Sequence, residues 1–314
     1  MRILRACLLL GLLLSEPRAG AATELGTRAR CARFNGVPAG GERAGMVYVP
    51  AGQLVPGSTK GYAEERGDEQ PVAIEGFYID RTEVTNAQFE RFVRATRYVT
   101  EAERAGSAPV FHVPSRSELE QNSYAWWTQG AGASWRHPGG PGTHAKPNHP
   151  VVQVTHADAL AYARWLGREL PSEQQWEYAA KAGRTDEGLH HEPRNAAGKP
   201  SANFWQGDFP LQNTREDGFA EHAPVGCYEP NPFGLHDMLG NVWEWTSEAF
   251  SASQKVADKE GCSPNESGMV IKGGSFLCAA NYCARYRVAA RHMQEPTQPA
   301  MHLGFRTVLN RTTP

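Results

Sequence analysis

Apolar and polar positions along this chain keep a regular period only over short stretches, so the predicted elements are brief and the connections long. From Gly45 the run Met-Val-Tyr-Val alternates and then meets Pro50-Ala-Gly, which reads as a strand ending at a turn. Residues 64–70 form a charged loop, and residues 72–80 read as a second strand. Thr85 caps a helix that places Phe89, Phe92 and Val93 on one face. Residues 106–148 show no period and are rich in Trp, Gly and Pro, so they are expected to be irregular; so long a run without structure inside a compact domain is usually functional. Residues 151–154 read as a short strand, Thr155 opens a helix to about Leu166, and Pro171-Ser172 starts another. After Gly183 the chain is punctuated by Gly and Pro, with short strands near Val270-Ile271 and at residues 305–308. No internal repeat and no domain boundary after residue 45 is visible.

Composition narrows the class. With 314 residues, 40% of them hydrophobic, the chain can fill a sizeable core. A net charge of -2 leaves no electrostatic footprint for nucleic acid or an anionic membrane. Gly (32) and Pro (22) are frequent but below the level of a disordered chain, which points to a loop-rich globular protein. At the start, Arg2 and Arg5 precede an apolar run over residues 6–14 and small residues at 19–22. That is the pattern of a secretory signal over residues 1–22, with a run too short to span a bilayer. Residues 23–44 read as a polar linker, and no later stretch is long enough to cross a membrane. The expected compartment is oxidising: periplasm or exterior in a bacterium, endoplasmic reticulum lumen in a eukaryote. Loss of Cys7 with the signal leaves Cys31, Cys227, Cys262, Cys278 and Cys283, an odd number, so at least one thiol is free, metal-bound or intermolecular.

The chemistry concentrates in residues 272–291, Lys-Gly-Gly-Ser-Phe-Leu-Cys-Ala-Ala-Asn-Tyr-Cys-Ala-Arg-Tyr-Arg-Val-Ala-Ala-Arg. A separation of five residues turns roughly 500° on a helix, so Cys278 and Cys283 meet only if the chain bends, and Gly273-Gly274 permit a bend just upstream. Two close thiolates suit a soft ion such as Cu(I), whereas zinc asks for four ligands. From spacing alone a small-loop disulfide, a metal or redox pair, and two unrelated thiols all stay open.

Further segments occur in order along the chain: Asn-x-x-Phe (86–89), Trp-Arg-His-Pro (135–138), Leu-Pro-Ser-Glu-x-x-Trp-Glu-Tyr-Ala-Ala (170–180), Asn-Phe-Trp-Gln-Gly-Asp-Phe-Pro (203–210), Glu-Asp-Gly-Phe (216–219), Gly-Asn-Val-Trp-Glu-Trp (240–245) and Leu-Gly-Phe-Arg (303–306). Together with the paired cysteines they make residues 45–310 resemble the formylglycine-generating enzyme, or sulfatase-modifying factor, family. Gly-Asn-Val-Trp-Glu-Trp and Leu-Gly-Phe-Arg mark only the wider superfamily; the cysteine pair is the more specific sign.

The resemblance implies an α+β fold: one loop-rich domain with little regular secondary structure and a C-type-lectin-like core. It implies an oxidase that uses O2 to turn a cysteine of an unfolded sulfatase, or another cysteine-containing polypeptide, into Cα-formylglycine. Cys278 and Cys283 would hold Cu(I), with Ser275 near the oxygen pocket and Trp243 and Arg291 lining the substrate site. Two structural Ca2+ sites are implied as well. One would use the side chains of Asn203 and Asp217 with the carbonyls of Phe204 and Phe219. The other would use the side chains of Asp237 and Glu244 with the carbonyls of Gly240 and Val242. A monomer without nucleic-acid or membrane partners completes the expectation.

The chain also departs from the pattern. Trp135-Arg-His-Pro runs into Gly-Gly-Pro-Gly, so Gly142 stands where the family has the aspartate expected to pair with the arginine of the sulfatase Cys-x-Pro-x-Arg motif. Val288 and Thr307 replace bracing cysteines of the vertebrate enzyme. The metal motif is thus intact and the substrate groove altered. A non-catalytic paralogue that binds sulfatases, and a related enzyme with a different substrate, therefore stay beside the oxidase. An iron-dependent relative is disfavoured because no His-x3-His-x-Glu run is present.

Overall fold

The computed structural model describes residues 25–67, 70–184, 191–250 and 268–310. The expected signal segment and Cys262 fall outside them. In chain order the elements are α1 (Arg28–Arg33), β1 (Met46–Val49), β2 (Gly52–Leu54), β3 (Val72–Ile74), β4 (Phe77–Asp80), α2 (Asn86–Thr96), α3 (Glu101–Ala105), β5 (Ser107–Phe111), α4 (Arg116–Gln121), β6 (Trp127–Ala131), α5 (His156–Trp165), α6 (Glu173–Lys181), β7 (Trp243–Ala249), β8 (Met269–Lys272), β9 (Arg291–Gln294), β10 (Leu303–Gly304) and β11 (Val308–Leu309). Most helices are shorter than the length at which a helix is stable alone. Five start on one device: a Ser or Thr side chain accepts from the third helical N–H while that residue's side chain accepts back. The pairs are Thr85 with Gln88, Thr100 with Glu103, Ser115 with Glu118, Thr155 with Asp158 and Ser172 with Gln175.

Strands β1, β4 and β11 form one antiparallel sheet, and β10, β7, β8 and β9 a mixed one in that order, with two separate hairpins, β2–β3 and β5–β6. One core gathers Phe89, Phe92, Tyr162, Trp245 and Phe305 between α2, α5 and the mixed sheet. A second gathers Phe77, Ile79, Trp176 and Val308 beneath α6. Irregular backbone elsewhere is tied by buried ion pairs: Arg306 to Glu244, Arg287 to Glu65, Arg168 to Asp80 and Lys272 to Glu177. Cys31 and Cys227, 196 residues apart, form a disulfide that fastens the N-terminal segment to the body.

Four expectations are corrected. Residues 305–308 are not one strand: β10 ends at Gly304 and β11 begins at Val308. The stretch 72–80 is two strands: Glu75-Gly76 separates β3, which pairs with β2, from β4, which pairs with β1. Residues 106–148 are not irregular throughout, because they contain the β5–β6 hairpin and α4. Pro109 is accommodated in β5 because a two-stranded hairpin has free edges where a missing N–H costs nothing. Residues 151–154 are not a strand. Gln153 takes φ 58 and breaks the run, and its Nε2 donates to Pro109 O and Pro138 O at 2.9 Å each.

Candidate active site

Strand β8 delivers the chain to Gly273 and Gly274, both at positive φ (94° and 75°). A Cβ on Gly274 would lie 2.6 Å from Arg285 O, so only glycine lets the outgoing and returning strands of this loop approach so closely. The bend then closes a tight turn, Cys278 N–H donating to Ser275 O at 2.9 Å. It brings the two sulfurs to 3.2 Å, both as free thiols. That is well beyond a disulfide bond of about 2.05 Å. Cys278 is buried and Cys283 half-buried.

The two thiols differ in acidity. Hydrogen bonding from Cys278, then the Arg285 guanidinium, brings Cys283 down to about 7, while burial pushes Cys278 well up. A negative charge on the pair therefore rests on Cys283. Arg285 lies 3.9 Å from that sulfur. Its guanidinium is held by Glu64 (2.5 and 3.2 Å) and lies 4.3 Å over the Tyr62 ring.

The pair sits in a cleft of about 580 Å³ whose lining includes Trp126, Trp127, Phe209, Trp243, Tyr282, Arg285, His292 and His302. Tyr282 stacks on Phe209 at 4.5 Å, and Trp126 meets both rings edge-on at 5.2 Å. A larger hollow of about 800 Å³ beside residues 53–60 and 181–184 holds no cysteine. A separate groove of about 450 Å³ is lined in part by Pro138, Thr143, His144, Lys146, His149, Glu221 and His222. Contacts run from the groove toward the cleft. His222 Nε2 lies 3.0 Å from Met301 O and its ring 5.4 Å from Phe276, while Gln153 bridges Pro109 on the cleft side to Pro138 on the groove side. Gly142 lies next to this groove, exposed, at φ 91, with nothing within 4 Å of where a Cβ would be.

Among the residues singled out from sequence, Ser275 and Trp243 line the cleft with the cysteines. Arg291 is not brought there. It pairs with Glu173 (2.8 and 3.0 Å) and lies over the Phe250 ring. The arginine at the thiols is Arg285, which sequence reasoning passed over although it follows Cys283 by two residues. Trp126 was also missed, because only the fold brings it to the cysteines, and His292 and His302 were missed because they follow Cys283 by nine and 19 residues without a motif of their own.

The donor chemistry of the thiol pair fits a soft monovalent ion: two sulfurs, one acidified, beside an open volume. For calcium, Phe204 O and Asp217 Oδ2 converge on one point, now met by the Gln206 amide, which donates to both. Asp217 Oδ1 accepts from Phe219 N–H (2.9 Å), and Asn203 Nδ2 donates to Glu221 O and Asn241 Oδ1. This oxygen-rich corner fits a hard cation. At the other set both oxygens of Glu244 are already met, by Arg306 (2.6 and 2.7 Å) and by Trp176 Nε1 (2.8 Å). Asp237 there accepts from Gly226 N–H, and Gly240 N–H donates to Gly273 O. What remains is one oxygen of Asp237 with the carbonyls of Gly240 and Val242, a poorer cation set than the first.

Comparison with known proteins agrees with this geometry. Residues 34–311 match the family model described as the sulfatase-modifying factor enzyme 1-like domain. The formylglycine-generating enzyme of Bos taurus is 41% identical over 278 residues, 83% of this chain and 73% of that one. The inactive C-alpha-formylglycine-generating enzyme 2 of Bos taurus is 35% identical, covering 85% of this chain and 88% of that one. Among solved structures, PvdO from Pseudomonas aeruginosa shares the fold at 22% identity with a TM-score of 0.55, over 88% of this chain and 98% of that one. The mixed, loop-rich single domain expected from the resemblance is therefore the observed one, and the chain belongs to the sulfatase-modifying factor enzyme 1-like family.

Proposed function

We propose that this protein is a formylglycine-generating oxidase: with O2 it converts a cysteine of a target polypeptide to Cα-formylglycine. The observation that carries this reading is the pair of free thiols, 3.2 Å apart at the wall of an aromatic cleft. Cys278 and Cys283 would hold Cu(I), which when bound supplies the reaction with O2 that no side chain can perform. Cys283 carries the thiolate and Arg285 balances its charge. Cys278, buried, stays out of reach of bulk solvent. Trp126, Phe209 and Tyr282 offer apolar faces to the polypeptide around the reacting cysteine and exclude water from it. Ser275 is fixed in the turn between the glycines and the first thiol, its Oγ accepting from Leu277 N–H. We further propose Ca2+ at Asn203, Phe204, Asp217 and Phe219, and, less well served by the free donors, at Asp237, Glu244, Gly240 and Val242.

The natural substrate class is a sulfatase bearing Cys-x-Pro-x-Arg, and the compartment is one where the Cys31–Cys227 disulfide persists. The protein works as a monomer, and among the described residues no helix is long and apolar enough to cross a membrane. A second reading, a polypeptide-binding paralogue without turnover, is favoured by the altered groove at Gly142. The deciding experiment incubates copper-loaded, reduced protein with O2 and a Cys-x-Pro-x-Arg peptide and follows the peptide by mass spectrometry. Thiol-to-aldehyde conversion that vanishes in the Cys278→Ser, Cys283→Ser double variant supports the oxidase. Peptide binding without conversion by the copper-loaded protein supports the paralogue.

A further inference from the structure

Four histidines in this fold are tied to backbone carbonyls. His137 Nδ1 lies 2.6 Å from Thr143 O, His156 Nε2 2.9 Å from Thr246 O, His222 Nε2 3.0 Å from Met301 O and His236 Nδ1 2.8 Å from Tyr228 O. His292 and His302 are not so tied, and neither is His112, whose Nδ1 is also buried without a partner; what sets the first two apart is their place beside the cysteines. Among the described residues neither ring nitrogen of either side chain has a hydrogen-bond partner, and Nδ1 of His302 is buried in that state. Both rings line the cysteine cleft. Their backbones are nonetheless fixed: His292 sits in β9 opposite Ile271, and His302 O accepts from Trp243 N–H at 2.8 Å. The rings are positioned by aromatic faces alone, His302 on Trp127 at 5.0 Å and His292 near Trp243 at 6.1 Å. His292 is exposed at the cleft and His302 half-buried, so two polar rings are held there by packing, and His302 Nδ1 is the one buried atom of the two left without a partner. Buried polar groups in folded proteins rarely go unpaired without a functional reason.

We propose that His292 and His302 are a substrate-binding pair that hydrogen-bonds the main chain of the polypeptide beside its reacting cysteine, an assignment that rests on the oxidase reading of the cleft. Each neutral imidazole offers one donor and one acceptor, which matches the one N–H and one C=O that every non-proline residue of an extended peptide presents. Burial holds His302 down at about 3, and partial desolvation in the cleft with the Arg285 charge lowers His292 as well. Both rings are therefore neutral at working pH and select a neutral amide chain over a charged side chain. Main-chain recognition also explains how the cleft receives a polypeptide without reading each side chain, since the aromatic walls supply area and the imidazoles supply register.

The test measures binding of a Cys-x-Pro-x-Arg peptide to metal-free protein under anaerobic conditions, by calorimetry, so that no turnover is needed. His302→Phe keeps a ring on Trp127 and removes both nitrogens; His292→Phe does the same beside Trp243. Each is expected to weaken binding five- to tenfold while the titre of two free thiols and the melting temperature stay unchanged. Asn places an amide near the position of Nδ1 and Gln near that of Nε2, so one of these replacements is expected to restore affinity to within about twofold. In turnover, the Phe variants should raise KM with kcat nearly unchanged. Wild-type affinity in folded Phe variants, or no binding by the wild-type chain, overturns the proposal. Should a Phe variant not fold, the Asn and Gln pair decides: equal loss in both at both positions overturns it. Histidine-dependent binding without peptide oxidation would sink the oxidase reading and leave this one standing; oxidation without histidine dependence does the reverse.

Discussion

The guanidinium of Arg285 lies 3.9 Å from the sulfur of Cys283 and is anchored on its far side by Glu64. A cation fixed beside one thiol of a pair makes the pair asymmetric, and the asymmetry is measurable. Cys283 sits at about 7, against an ordinary thiol value of about 8.5. In metal-free protein, iodoacetamide should therefore modify Cys283 with a midpoint near pH 7 and leave Cys278 unmodified until far higher pH. Arg285→Gln should move the Cys283 midpoint upward. The linkage has a definite sign. Cys283 is an acid whose folded value is depressed, so its contribution to stability is present above the unfolded value and is lost as pH falls through about 7. Equal reactivity of both thiols across the range would contradict the asymmetry. Peptide mapping of the alkylated protein reads it directly.

Arg287 and Glu65 form a bidentate pair with side chains 1% and 0% exposed. Removing one partner leaves a charge buried alone, which costs about 3–5 kcal/mol, whereas removing both is far milder. Glu65→Gln and Arg287→Met singly should each lower stability by about that amount in urea unfolding. The double variant should recover most of the loss, giving a coupling of several kcal/mol. Additive losses would mean that the pair is held by packing and not by charge. Because Arg287 follows Arg285 by two residues, the single variants should also disturb the Cys283 midpoint.

Much of this arrangement was legible in the chain. Thr85, Thr155 and Ser172 announce their helices because capping is a local interaction, read within four residues. The Gly273-Gly274 bend and the meeting of Cys278 with Cys283 are nearly as local. What escaped is long-range. The hairpin β5–β6 was hidden because Pro109 is tolerated on a free edge, and Gln153 breaks an apolar run through a positive φ that no pattern announces. The Cys31–Cys227 bridge spans 196 residues, and no spacing rule pairs such cysteines. Trp126, 157 residues before Cys283, is likewise beyond any spacing rule. Arg291, carried over by resemblance, turned to Glu173 instead of to the cleft.

Calcium at the first oxygen set makes a separate prediction. Phe204 O and Asp217 Oδ2 meet at the Gln206 amide, and burial pushes the Asp217 carboxyl above its usual range in the absence of a cation. A bound divalent ion reverses that preference, so calcium should stabilise the fold by mass action, about 2.7 kcal/mol at one hundred times its Kd. Melting temperature should fall on chelation, recover with Ca2+, and lose this response in Asp217→Asn. The Cys278 and Cys283 thiol titre should not change. An unchanged melting temperature on exhaustive chelation would remove calcium from this corner.

The last prediction concerns the groove beside Gly142. Its charged lining is Lys146 and Glu221, nearly balanced, with His144, His149 and His222 between. Burial with the neighbouring His222 and Lys146 holds His149 at about 3, so that ring is neutral at working pH. Such a groove has no surplus acid with which to favour a guanidinium, and exposed pairs contribute only about 0–1 kcal/mol in any case. Peptides Cys-x-Pro-x-Arg and Cys-x-Pro-x-Gln should therefore differ by no more than about threefold in kcat/KM, and the difference should shrink with added salt. Gly142→Asp is the informative change. Space around the would-be Cβ is open, and aspartate is among the residues that tolerate the left-handed backbone found there (φ 91). The variant should fold with a loss of about 1–2 kcal/mol and raise the arginine preference several-fold. A strong arginine preference in the unaltered protein would show that another acidic group reaches the peptide. Glu221 would be the first to replace, because it is the carboxylate of this groove.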